Sequence, residues 1–311
     1  MPPGCSQRKV LGHFFDSLPG GYAGTFEIRH DMPKTAVGPT PVRRRRKSLG
    51  QHFLADSRVA NRIVAAAEPD GADTVLEIGP GAGALTRRLV EQAGRVVAVE
   101  LDPGLCEELP ERLGFPSNLG VVQGDGREID PDELVGPATP YKVVANLPYY
   151  AAAPIVRRLL ENVRPPTLMV MMVQREVADA MNAKPGEFTL LSVATQFYAE
   201  TSVVAQVPAR CFRPPPKVSS TVLKLAVRPE PAVAVPDREA FFALVRAGFS
   251  APRKQLRNSL MQGAGAPAET VAAALAASGI DSQRRPATLE IGEWAALDAA
   301  WPADAPRSRT A

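Results

Sequence analysis

A short run, Thr74-Val75-Leu76-Glu77-Ile78-Gly79, reads as a strand, breaks into Pro80-Gly81-Ala82-Gly83 and leads into a helical pattern over 84–92. Strand, glycine turn, helix is the opening unit of a nucleotide-binding α/β sheet. The glycines let backbone approach a ligand closely, because no Cβ intervenes. The pattern then repeats. Apolar runs over 95–100, 121–125 and 141–145 read as three more strands, tipped by Glu100, Asp125 and Asn146. Open α/β sheets bind ligands at that carboxyl edge, so the three polar tips are candidates for chemistry.

The rest of the chain fits around this sheet. A helix is expected over 57–67, with Asp56 or Ser57 as its N-cap. Beyond Asn146, helices are expected over 153–160, 174–182 and 188–198, and strands over 167–173, 201–207 and 221–227. Strands alternating with helices predict a doubly wound, mostly parallel sheet. Between the last two strands, Phe212-Arg213-Pro214-Pro215-Pro216-Lys217 has three consecutive prolines. They can join neither a ladder nor a helix, so a stiff extended loop should hold Phe212 and Lys217 in place. A proline-punctuated linker over 229–236 precedes four helical stretches, 238–248, 254–262, 268–278 and 291–300. The expected domains are therefore a disordered leader over 1–42, a ligand-binding sheet domain over 43–228, and a small helical domain over 229–311.

Composition narrows the function classes. With 45% apolar and 22% charged residues in 311, this is ordinary globular composition. No apolar run is long enough to cross a membrane, and the first thirty residues lack the basic start and apolar core of a secretory signal. Three cysteines share no metal spacing and read as reduced thiols of a cytosolic protein, and three scattered histidines argue against a histidine metal site. The net charge of +3 says little, but its distribution is uneven. Arg43 to Lys47 are all basic, and Arg253, Lys254 and Arg257 form a second cluster. Such clusters on a nearly neutral chain suggest a polyanion partner.

The strand over 141–145 runs into Asn146-Leu147-Pro148-Tyr149. Asn146 offers an acceptor and two donors, Pro148 stiffens the turn, and Tyr149 offers a flat face for a base. Together they form a candidate clamp for the exocyclic amine of a nucleobase. Two cofactor classes compete for the glycine loop. A dinucleotide site wants G-x-G-x-x-G, so that helix amides meet a pyrophosphate. Here the third glycine falls one place early, and Glu77, Glu100 and Asp125 place acids around the site. Acids beside a pyrophosphate are costly, whereas acids around a sulfonium and an ammonium are favourable. The charge logic prefers S-adenosylmethionine. Glu100, 21 positions after Gly79, stands where ribose hydroxyls are gripped.

With these motifs in order, the chain resembles the ribosomal RNA adenine N6,N6-dimethyltransferases. The resemblance rests on Gly50-Gln51-His52-Phe53-Leu54, on Glu77 to Gly83, Glu100 and Gly124-Asp125, on Asn146 to Tyr149, and on Phe212 to Val218, and covers about residues 43–300. The helical end, with Phe241-Phe242 and Arg253 to Asn258, resembles the bacterial small-subunit branch. The resemblance implies a Rossmann-like class I methyltransferase sheet with a small C-terminal α-helical domain. The implied substrate is two adjacent adenosines near the 3′ end of small-subunit ribosomal RNA, in an immature 30S subunit met by a cytoplasmic monomer. By the same resemblance His52, Leu54, Gly79, Glu100, Asp125 and Asn146 contact the cofactor. Glu100 takes the ribose, Asp125 takes the cofactor's adenine amine, and Leu54 and Leu101 give apolar packing. Many members carry Asn where this chain has His52. Asn146 with the Leu147 carbonyl would accept the two N6 hydrogens of the target adenine, while Tyr149 and Phe212 stack on it. The rivals are the sibling family that methylates a large-subunit adenine, a non-catalytic ribosome assembly factor, and a DNA adenine methyltransferase, which usually carries an acid at the Asn146 position.

Overall fold

The computed structural model describes residues 52–308. The expected leader, the basic run Arg43 to Lys47 and Gly50-Gln51 lie outside the described residues. Within them the chain runs β1 (Phe53–Leu54), α1 (Ser57–Ala67), β2 (Thr74–Ile78), α2 (Thr86–Gln92), β3 (Arg95–Glu100), α3 (Pro103–Leu113), β4 (Leu119–Gln123), α4 (Pro131–Val135), β5 (Tyr141–Asn146) and α5 (Ala152–Leu160). It continues through β6 (Leu168–Gln174), α6 (Arg175–Met181), α7 (Leu190–Tyr198), β7 (Ala199–Val207), β8 (Phe212–Arg213) and β9 (Ser220–Val227). Four helices close it: α8 (Arg238–Phe249), α9 (Leu256–Ala264), α10 (Ala268–Ala277) and α11 (Ile291–Ala300).

Seven strands form one sheet in the order β4-β3-β2-β5-β6-β9-β7. The first five are mutually parallel, and β9 runs antiparallel to both of its neighbours, β6 and β7. From β2 the chain walks outward through β3 and β4, then returns to add β5 and β6 on the other side. The order therefore reverses between β2 and β5, which is where a crevice opens in such sheets. The ladder pairs Ile78 with Ala145, so the glycine turn and Asn146 leave neighbouring strand ends together.

Both faces of the sheet are covered, and side-chain alternation sorts the core. Leu76, Ile78, Val143 and Ala145 join α5 residues Ile155 and Leu159 on one side. Val75, Val144, Val170 and Met172 join Ile63 and Val64 of α1 on the other. Period-two packing of this kind pins the register, because a slip of one residue would exchange the faces. Beyond the sheet, Phe197 of α7 meets Phe241 and Phe242 of α8 at ring-centroid distances of 5.2 and 5.1 Å. Each such pair adds about 0.5–1.5 kcal/mol beyond its area burial.

Most expected elements appear within one or two residues of their sequence bounds. Three differences have physical causes. The helix expected from position 84 begins at Thr86, because Gly81 and Gly83 adopt φ of +56° and +84° and keep the chain turning. The third strand starts earlier and ends at Gln123, leaving Asp125 in the loop two residues beyond. No helix was expected over α3 or α4. Each carries a plain start signal, Asp102 before Pro103 and Asp130 before Pro131, with the carboxyl accepting main-chain amides of the first turn. Pro110 inside α3 obscured the helical pattern there.

Candidate functional site

A cavity of about 380 Å³ opens at the reversal point, within the size range of small-molecule sites. Four segments line it: His52 to Leu54, Gly79 to Ala82 with Ala84-Leu85, Glu100-Leu101, and Asn146 to Tyr150, together with Phe212. Gly79 turns at φ +72°, and a Cβ there would stand 3.4 Å from the Asn146 carbonyl. The glycine thus brings the β2 and β5 termini together where a side chain would be strained.

Glu100, 5% exposed, is held from two sides. Oε2 accepts the Gly81 amide and Oε1 the Asp102 amide, each at 3.0 Å. This arrangement decides between the two cofactor classes. A dinucleotide would need the glycine-turn amides for its pyrophosphate, but Gly81 gives its N–H to an acid. A negative group beside Glu100 would be repelled, whereas ribose hydroxyls can donate to it. The cavity therefore fits a nucleoside carrying positive charge better than one carrying phosphate.

The three acids expected around the ligand do not share one environment. Only Glu100 lines the cavity. Glu77, 1% exposed, is inside the protein, and its carboxyl oxygens make no hydrogen bond of normal geometry, Thr86 being their polar neighbour. Burial pushes its pKa up to about 8, with the Glu100 charge adding to the shift and Thr86 opposing it. Near neutral pH Glu77 is therefore protonated, and the notion of a lining carboxylate at 77 is corrected. Asp125 lies beyond the lining, half-buried, with its carboxyl group on the Arg127 guanidinium.

The Glu77 shift makes a stability prediction. A carboxyl whose folded pKa is raised contributes stability below its unfolded pKa, and loses it as pH rises through the folded pKa. The ligand-free protein should lose stability relative to Glu77→Gln as pH rises from 4.5 to about 8. Thermal melts of both proteins across that window measure it, and parallel curves would show that Glu77 titrates alike in the folded and unfolded chain.

Asn146 is half-buried at the end of β5, and Leu147 is buried against the α5 side of the core. The Leu147 amide donates to the Met172 carbonyl at 3.1 Å, and the Pro148 carbonyl receives the Ala151 amide at 3.0 Å. The turn is thus tied at both ends before α5 begins. Tyr149 is half-buried, and its hydroxyl meets Ser220 Oγ at 3.0 Å. His52 stacks on Tyr149 with centroids 6.1 Å apart. His52 Nδ1 donates to the Pro214 carbonyl at 2.8 Å; a carbonyl only accepts, so this nitrogen carries the hydrogen.

A two-residue antiparallel ladder, Phe53 with Arg213 and Leu54 with Phe212, brings His52, Leu54 and Phe212 to the cavity. Nothing local in the sequence marks this pairing, which spans more than half the chain. Phe212 is 1% exposed and packed among Leu54, Ile63 and Val207. It forms the cavity's back wall, with little ring surface free. Phe53 and Tyr150 also line the cavity and were not singled out from the sequence. A second tyrosine directly after Tyr149 was the available signal for Tyr150. Lys217, Arg253, Lys254 and Arg257 are exposed. Among the described residues, no cluster of histidine, cysteine and acidic side chains could hold a metal ion, and no helix is long and apolar enough to cross a membrane.

The sequence profile described as Ribosomal RNA adenine dimethylase matches residues 42–297. The protein named ribosomal RNA small subunit methyltransferase A of Dehalococcoides mccartyi is 45% identical over 255 residues, spanning 82% of this chain and 87% of that protein. The protein of the same name from Pelotomaculum thermopropionicum is 43% identical over 282 residues, spanning 87% and 94%. The crystal structure of the 23S rRNA methyltransferase ErmE superposes with a TM-score of 0.65 at 31% identity, covering 80% of this chain and 98% of that one. With the profile running from the residues before β1 to within α11, and relatives of this identity over most of its length, the chain belongs to the ribosomal RNA adenine dimethylase family.

Proposed function

We propose that this enzyme transfers methyl groups from S-adenosylmethionine to N6 of two adjacent adenosines in the 3′-terminal hairpin loop of small-subunit ribosomal RNA, giving N6,N6-dimethyladenosine. The observation that carries the proposal is the meeting of Asn146 with Gly79 and Glu100 around one cavity, with Glu100 holding the Gly81 amide. The names of the relatives favour the small subunit over the large.

The cofactor supplies an activated methyl on a sulfonium, so the transfer itself is downhill. The protein's share is alignment and a better nucleophile. Glu100 would receive the ribose hydroxyls, Asp125 would accept from the adenine amine of the cofactor, and His52, Leu54, Gly79 and Leu101 would close around the remainder. The target adenine leaves its stack to enter. Tyr149 offers it a face, and Phe212 bounds the pocket behind. Asn146 Oδ1 and the Leu147 carbonyl accept the two N6 hydrogens, drawing that nitrogen toward tetrahedral geometry so that its lone pair points at the methyl. Pro148 keeps these two acceptors in a fixed relation. No strong base is needed, in keeping with an amide at position 146. The methylated nitrogen, cationic at first, releases one proton to solvent, so one N6 hydrogen remains and the pocket must also seat a methylated amine.

The sheet region, 43–228, is read as the methyltransferase domain and 229–311 as a helical RNA-binding domain. Arg253, Lys254 and Arg257, with Lys217 and the run Arg43 to Lys47, contact phosphates, which position without reading sequence. The partner is the immature 30S subunit, met by a monomer in the cytoplasm. The test is mass spectrometry of ribosomal RNA from cells lacking the protein. Loss of dimethyladenosine from the small-subunit RNA is expected. Loss confined to large-subunit RNA would transfer the assignment to the sibling activity, and unchanged modification in both would leave only an assembly role.

A further inference from the structure

Asp125 follows β4 and Tyr150 follows β5, and one side chain touches both. Arg127 Nε lies 3.0 Å from each carboxyl oxygen of Asp125. Nη2 reaches Oδ2 at 2.5 Å, and the Arg127 main-chain N–H donates to Oδ1 at 2.9 Å. The guanidinium carbon stands 5.7 Å from the centroid of the Tyr150 ring, which is 58% exposed at the cavity mouth. A fork on a carboxylate sets its tilt as well as its place, and the ring face holds the back of the fork. A carboxylate has about four lone-pair directions. The Arg127 donors use most of them and leave Asp125 little more than one to offer a ligand.

We propose that Arg127 is a positioning residue for the cofactor: braced on Tyr150, it holds the Asp125 carboxyl group in the one orientation that receives the exocyclic amine of the cofactor's adenine. The inference rests on the adenine assignment of Asp125 above and goes beyond it, because Arg127 itself touches no ligand. Without the guanidinium, Asp125 sits two residues past a strand end with nothing else among the described side chains hydrogen-bonded to it. Its rotamers would then spread, and the amine would meet a wandering acceptor. The pairing also governs charge. Burial pushes the Asp125 carboxyl up, and the Arg127 hydrogen bonds outweigh it, holding the group below its ordinary range. An ionised carboxyl only accepts, which is what an amine donor requires.

The test uses the purified full chain with immature small subunits as methyl acceptor. Arg127→Met removes the fork but keeps an unbranched chain. Its KM for S-adenosylmethionine should rise about five-fold, the worth of one aligned hydrogen bond, while kcat at saturating cofactor stays within about two-fold. Arg127→Lys, a point charge without the planar fork, should recover part of the KM. Asp125→Ala separates two kinds of failure. If it leaves KM unchanged, the adenine assignment is wrong. If it raises KM while Arg127→Met does not, the role of Arg127 alone is overturned. In the double variant the Arg127 effect should vanish, since nothing remains to position; additive effects would equally overturn the proposal.

Discussion

Asn146→Ala is expected to slow methyl transfer by at least about 100-fold, the scale seen when one preorganised polar contact to the reacting group is removed. Two contributions converge on that residue. In the proposed mechanism its amide oxygen accepts a hydrogen from the amine that attacks, and so would favour the pyramidal nitrogen of the transition state over the planar ground state. Stabilisation of that kind appears in kcat rather than in binding. It also sets the direction of the lone pair, and misalignment alone costs orders of magnitude. The backbone around it should hold, because the Leu147 amide and the Pro148 carbonyl keep their partners. Cofactor affinity should change by less than about five-fold, the margin of a single hydrogen bond. Single-turnover rates with calorimetric titration of the cofactor read the two quantities separately. Near-normal turnover in the variant would remove the clamp from the mechanism.

Glu100→Ala should act on the other quantity. Here the cofactor affinity falls by roughly 1.5–3 kcal/mol, about 10- to 150-fold, the margin for hydrogen bonds to a charged group. The carboxyl group does two jobs. In the proposed site it would face the ribose, and it gathers the Gly81 and Asp102 amides, each at 3.0 Å. Removing it loses the hydroxyl contacts and also releases the glycine turn that shapes the cavity floor. Glu100→Gln should fall between, because an amide keeps one acceptor but turns an NH₂ toward a main-chain N–H. Calorimetry with S-adenosylmethionine measures the series, and unchanged affinity in the alanine variant would refute the ribose assignment.

Much of the site was legible because it is local. Gly79, Glu100 and Asn146 stand at or just beyond the ends of apolar runs, and the rule that such sheets bind at their carboxyl ends needs only strand order. The helices over α1, α8, α10 and α11 were legible for a similar reason, as their apolar spacing and start signals are written within a few residues. Where the reading was incomplete, a non-local term intervened. The acids at 77 and 125 look alike in the chain, but one is sealed in the core and the other is claimed by an arginine two residues on. Phe212 announced itself as an aromatic beside prolines, and packing turned nearly all of its ring inward.

From the residues alone came the doubly wound sheet, the cofactor class, the candidate clamp and the family resemblance. All of these follow from periodicity, charge and short motifs, whose physics acts over a turn of helix or a strand. Only the tertiary structure decided that β1 pairs with β8, that Glu77 is protonated near neutral pH, and that Arg127 stands between Asp125 and Tyr150. Each depends on which distant segments exclude water from one another. Desolvation and long-range pairing are properties of the packed chain, and no window of sequence contains them.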